Sequence, residues 1–188
     1  MTRVKPITTR ADVAAEHQSL FDLMLEGTQQ VEVAGELRGP SSILMHSPLL
    51  AERSRELGHY LRLGSTLTRP ESELAIITAA RETRCEYVWG VHMVAARRER
   101  LREEAIATVR DGRDPAVLEP DEAAIVIFVQ QLLRKHRVDQ PVFDALLRGH
   151  GVQWLVDLTA IVGHYGLLAG VLNAFEVPAR PGAERLPD

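Results

Sequence analysis

Glu73-Leu-Ala-Ile-Ile-Thr-Ala-Ala-Arg-Glu-Thr-Arg-Cys85-Glu-Tyr-Val-Trp-Gly-Val-His92 is the stretch that decides how this chain folds. Leu74, Ile76, Ile77, Ala79 and Ala80 form a nearly continuous apolar run, which periodicity alone does not assign to a strand or a helix. The preceding Thr68-Arg-Pro-Glu71 has the spacing of a capping box, and strong β-formers are few, so the run is predicted to be a helix. A second helix is expected from about Thr83, with Cys85 in its first turn. On it Cys85, Val88, Trp89 and His92 fall at i, i+3, i+4 and i+7, which is one face. Glu73 precedes Cys85 by twelve residues, too far to share a helical turn with it. If the chain folds back near Thr83 and Arg84, Glu73 meets His92 at hydrogen-bond distance. A carboxylate there orients the imidazole and makes an acid/base or relay unit. A helix N-terminus and the neighbouring Arg84 both favour thiolate, so the Cys85 thiol is expected below its ordinary value of about 8.5.

Outward from this stretch the punctuation stays helical. Residues 11–31 read as an amphipathic helix carrying Val13, Leu20, Leu23 and Met24, and Gly35 to Ser42 as a loop. Ser47-Pro48 opens a helix to about Arg62 that Gly64 and Ser65 end. Ala95 to Glu104 carries Arg97, Arg98, Arg100 and Arg102 interleaved with glutamates, a solvated helical face and not a nucleic-acid patch. Residues 111–119 read as a loop and 121–137 as a helix. Asp139-Gln-Pro141 restarts the chain into a short helix ending at Gly149 or Gly151. A long apolar helix from Trp154 to Phe175 follows, and 178–188 is a proline-rich arm. Leu158 to Phe175 lacks any Asp, Glu, Lys or Arg. His164, Tyr165 and Asn173 within it make a buried central helix the better reading than a membrane span.

The chain of 188 residues is long enough for one domain with a substantial core. Its net charge of -4 gives no case for nucleic acid or an acidic membrane surface. A single cysteine excludes an internal disulfide. The amino-terminal residues have no apolar core of a secretory signal, so a cytoplasmic protein is expected. No Gly-rich phosphate loop follows a strand and no Cys/His cluster has zinc spacing, so neither cofactor nor metal is expected. Alternating strand patterns are absent: the chain reads as all-α.

Glu73, Cys85 and His92 resemble the pattern of the carboxymuconolactone decarboxylase family, which includes alkylhydroperoxidase D. That peroxidase carries a Glu, a Cys twelve residues on, then x-x-Cys and x-x-x-His. The second cysteine position is Val88 here, and the family's peroxidase attacks peroxide with that second thiol. Cys-Glu-Tyr-Val-Trp-Gly-Val-His is more similar to the single-cysteine, decarboxylase-like branch. The resemblance extends loosely from Gly39 to Leu186, with His46-Ser47-Pro48 upstream and Val162-Gly163-His164-Tyr165 late in the chain. It implies one alkylhydroperoxidase D-like helical domain with a core over about 39–177, packed as a homo-oligomer, a trimer or hexamer. It further implies a cofactor-free lyase acting on a small carboxylated lactone or related acid. His92 would donate the proton and Glu73 orient it, with Cys85 the remaining catalytic candidate. Trp89, Tyr87 and Val88 would wall the pocket, His46 would lie near its mouth, and Arg84 or Arg81 would hold a carboxylate. The alternatives are a peroxidase using Cys85 and a binding protein on the same fold. A lone cysteine or histidine on an apolar helical face is otherwise most often a core residue.

Overall fold

A computed structural model of the chain describes residues 2–26 and 35–187. Eight α-helices follow one another among these residues, with no strand. Helix α4 (Arg69–Glu82) is the axis of the fold. The capping box forms: Thr68 Oγ1 accepts from the Glu71 N–H at 3.4 Å, and the Thr68 N–H donates to Glu71 Oε2 at 2.7 Å. From Ser72 to Ala80 every residue is buried, because neighbours pack against the helix from all sides. This explains the continuous apolar run: a helix covered all round has no polar face to give it a period.

The neighbours are α5 (Glu86–Arg98), α6 (Glu103–Asp111), α7 (Pro120–Lys135) and α8 (Gln140–Ala174), which share the main hydrophobic cluster with α4. Helix α8 is interrupted at Gly151, which takes φ 85° and ψ 172°. The short and long helices expected on either side of Gly151 are therefore two segments joined by a kink. One face of the second segment, including Leu155, Leu158, Ile161, Val162 and Tyr165, is buried. By length and composition α8 is apolar enough to cross a membrane, and half of its most apolar window is buried inside the fold.

A smaller cluster of Phe21, Met24, Leu37, Leu44, Met45 and Ala51 joins α1 (Gln18–Glu26), α2 (Pro40–Leu44) and α3 (Pro48–Leu63). Leu168 and Val171 of α8 pack against it.

Four local expectations are corrected. The helix expected over 11–31 is two single 3-10 turns, Arg10–Asp12 and Ala15–His17, followed by α1; the rest of that expectation, 27–31, lies outside the described residues. The basic stretch 95–104 is not one helical face, because α5 ends at Arg98 and the chain turns through Arg100 at φ 63° before α6 starts. Cys85 is the N-cap of α5, one residue ahead of the first turn, and Arg84 before it adopts φ 52°. The tail is not a free arm, since Leu186 is buried in the main cluster and Ala183 packs on Gly90. A side chain at 90 would put its Cβ 2.7 Å from that of Ala183.

Candidate active site

The reversal through Thr83, Arg84 and Cys85 lays α5 back along α4. The Cys85 N–H reaches the Ala80 carbonyl and the Thr83 N–H that of Ala79, which closes α4 before α5 begins. This antiparallel pairing brings His92 beside Glu73. His92 Nδ1 donates to Glu73 Oε2 at 2.8 Å, the direction that an ionised carboxylate dictates. The Glu73 side chain is 3% exposed and that of His92 13%. A bond so shielded is both charge-assisted and held in a low dielectric. With Nδ1 committed to Glu73, Nε2 is the nitrogen left for a reactant. The ring is fixed on another side by Tyr165, edge-to-face at 4.9 Å.

Both residues border a cavity of about 520 Å³ between α3, α4, α5 and α8. Its lining includes Arg55 and Arg62 of α3, Arg69 of α4, Arg98 of α5, Arg38 from the loop before α2, and Arg180 from the tail. Glu26, Glu36 and Glu73 are the acidic members, so cations outnumber anions around the space. Some of that charge is paired: Arg38 lies 3.1 Å from Glu36, and Arg98 and Arg69 lie 3.0 and 3.7 Å from Glu99. Arg55 keeps a buried Nε without a partner. Six guanidinium groups around a small cavity suit an anion with planar, bidentate acceptors.

On α8, His164 and Tyr165 also face the cavity. Burial, and next the neighbouring Arg62, bring the His164 imidazole down to about 4. Burial pushes the Tyr165 phenol up to about 12. Both are therefore neutral near pH 7, one as imidazole and the other as phenol.

The residues singled out from the sequence do not all meet here. Tyr87 and Val88 line the cavity beside His92. The Tyr87 ring lies against Gly39, where a Cβ would stand 2.4 Å from Cζ, and Arg180 Nε donates to its hydroxyl at 3.3 Å. Cys85 does not line the cavity and is fully buried. Its thiol lies above its ordinary value, the reverse of the expected direction. Burial raises it, and the Val88 and Tyr87 N–H groups, which act as expected of a helix start, do not outweigh that. Trp89 is likewise fully buried and off the cavity wall, with its indole nitrogen unpartnered. Arg84 is exposed and donates to the Pro187 carbonyl, and Arg81 donates to that of Arg110, so neither reaches the cavity. His46 is exposed, with Nε2 3.0 Å from the Lys5 carbonyl. Arg55, Arg62, Arg180, His164 and Tyr165 were not foreseen as cavity residues. The available signals were the i, i+7 spacing of Arg55 and Arg62, and two polar rings in an otherwise uncharged apolar helix. Among the described residues no group of His, Cys, Asp and Glu is arranged to hold a metal ion.

Residues 48–131, which include Glu73, Cys85 and His92, match the model of the carboxymuconolactone decarboxylase family. No curated protein matches the sequence. Three solved structures share the fold over nearly the whole chain. A cysteine-to-alanine variant of the debrominase Bmp8, in complex with 2,3,4-tribromopyrrole, superposes with a TM-score of 0.73 at 15% identity, covering 96% of this chain and 95% of that one. An uncharacterized peroxidase-related protein from Silicibacter sp. TM1040 gives 0.69 at 19% identity, with 97% of each chain covered. The alkylhydroperoxidase AhpD core of an uncharacterized peroxidase-related protein from Ralstonia eutropha JMP134 gives 0.69 at 19% identity, with 95% of each covered.

Proposed function

Because residues 48–131 match the model of the carboxymuconolactone decarboxylase family, we propose that this chain is a lyase that removes carbon dioxide from a small carboxylated lactone or related acid. The observation that supports this best is the buried Glu73–His92 pair on the wall of an arginine-lined cavity from which Cys85 is absent. The guanidinium groups orient the substrate as an anion. As the bond to the carboxylate carbon breaks, carbon dioxide leaves and its electron pair passes into the conjugated carbonyl, forming a dienolate. His92 then gives its Nε2 proton to the carbon, and solvent restores it. Glu73 stays ionised throughout and holds the imidazole in the orientation and tautomer that keep Nε2 toward the substrate. Tyr87 and Val88 wall the space that the ring occupies.

The peroxidase alternative asks for a thiolate that can reach peroxide. Val88 stands where the attacking cysteine would be, and burial holds Cys85 in its thiol form. A homo-oligomer, trimer or hexamer, belongs to the same proposal; exposed Leu49, Leu57, Leu63 and Val94 on α3 and α5 support it.

The test is carbon dioxide release from carboxymuconolactone and a panel of small carboxylated lactones, run beside peroxide reduction with a dithiol donor. Release without appreciable peroxide consumption is the expected result. Fast peroxide reduction, abolished in Cys85→Ser, would overturn the proposal.

A further inference from the structure

We propose that the surface of α3 over Gly58 is an oxyanion subsite, where the imidazole of His164 and the guanidinium of Arg62 together hold the substrate oxygen that becomes negative during the reaction. The proposal rests on the acid–base reading above and adds to it the groups that stabilise the dienolate.

Arg55, Gly58 and Arg62 fall at i, i+3 and i+7 on α3, and all three line the cavity. A Cβ at position 58 would stand 2.9 Å from His164 Nε2 and 3.1 Å from Arg62 Nη1. Both nitrogens thus converge on the bare backbone of Gly58. Each lies about 3 Å from that one position, so they are no more than about 6 Å apart, and an oxygen that accepts from both would sit outward of the Cβ position, on the cavity side of the two nitrogens. The φ of Gly58 is not in the left-handed region, so its backbone does not require glycine. What the missing side chain permits is the close approach of the His164 ring and the Arg62 guanidinium to α3.

The chemistry of the two donors is complementary. His164 is buried and neutral, for the reasons given above, and in the Nε2–H tautomer it is a donor that adds no charge. Arg62 supplies the fixed cation. A neutral donor beside a cation suits an oxygen that begins as a carbonyl and ends as an enolate, with both donors in place before the charge develops. Tyr165 stands edge-to-face to His164 at 5.5 Å and to His92 at 4.9 Å. One aromatic ring therefore sets the separation between the proton donor and the proposed oxyanion subsite. No atom is transferred at this site: electron density reaches the oxygen as carbon dioxide departs, and leaves it as His92 protonates carbon.

The probe is 4-nitrophenol, whose ionised form absorbs visible light. It does not react, so its result stands whether or not the carboxylated lactones are turned over. Wild-type protein is expected to bind the ionised form in preference, raising visible absorbance below the probe's own pKa. His92→Ala should keep that preference. Gly58→Ala places a methyl group between the donors, with the stronger helix former in place of glycine, and should weaken ionised-probe binding by roughly tenfold or more. His164→Leu should weaken it similarly, and His164→Gln, which retains an N–H, should recover part of it. On a carboxylated lactone, Gly58→Ala should lower kcat by roughly 10²-fold. Unchanged probe binding in Gly58→Ala or His164→Leu would overturn the proposal. So would a wild-type protein without preference for the ionised form, or a His92→Ala loss equal to that of Gly58→Ala.

Discussion

Replacing Glu73 with glutamine keeps the shape of the side chain and removes the charge against which His92 rests. The carboxylate is 3% exposed and accepts from Nδ1 at 2.8 Å, so solvent does little to weaken the bond. When His92 carries the proton it will deliver, that bond joins two charges, and a hydrogen bond to a charged group is worth about 1.5–3 kcal/mol. At about 1.4 kcal/mol per tenfold in rate, kcat should fall by roughly 10- to 10²-fold. Folding stability should scarcely move. The glutamine oxygen still accepts from Nδ1–H, so no buried donor is left without a partner. Removing the partner instead is different: His92→Phe leaves the Glu73 carboxylate buried alone and should cost about 3–5 kcal/mol of stability. The assay pairs carbon dioxide release with urea unfolding for both variants. A Glu73→Gln protein with full kcat would refute the reasoning, as would one whose stability collapses like that of His92→Phe.

The imidazole of His164 is held near 4 by burial, below an unfolded value of about 6.5. The unfolded chain therefore takes up the proton first: this contribution to stability is fully present above about pH 6.5 and is lost as the pH falls toward 4, on the order of 3 kcal/mol. Urea midpoints across that range should show a loss that His164→Gln lacks. Cys85, buried and with its thiol raised, should react with iodoacetamide at least roughly tenfold more slowly in the native protein than in urea. Equal rates would show a reachable thiolate. Leu186→Ala should lower stability by about 2 kcal/mol, because the tail is packed into the main cluster; an unchanged urea midpoint would return it to the status of a free arm.

Much of the helical framework was legible because its signals are local. The Thr68 box, Pro48 at the first position of α3 and the glycine at the α8 kink each act within a turn of themselves. The meeting of Glu73 and His92 was legible through spacing once the chain was taken to reverse at Arg84. The break between α5 and α6 was not legible, since Arg100 occupies a left-handed conformation that glycine would have announced. Cys85 shows a different limit. Its sequence context displays a helix start and a neighbouring arginine, both lowering, whereas the larger influence is burial by residues distant in the chain. The cavity's cations are hidden for the same reason. Arg38, Arg55, Arg98 and Arg180 come from four separate segments, each reading as surface charge until the tail packs on α5 and α3 packs on α8. His164 and Tyr165 belonged to a run that resembled the family, yet nothing local revealed that Tyr165 packs against both His92 and His164.

The measurement that bears most directly on the central claim is turnover of one carboxylated lactone by His92→Ala and Cys85→Ser side by side, with and without added imidazole. The account predicts that His92→Ala loses roughly 10²–10⁴-fold and regains part of it with imidazole, while Cys85→Ser keeps most of its activity. An active His92→Ala protein beside an inactive Cys85→Ser protein would contradict it.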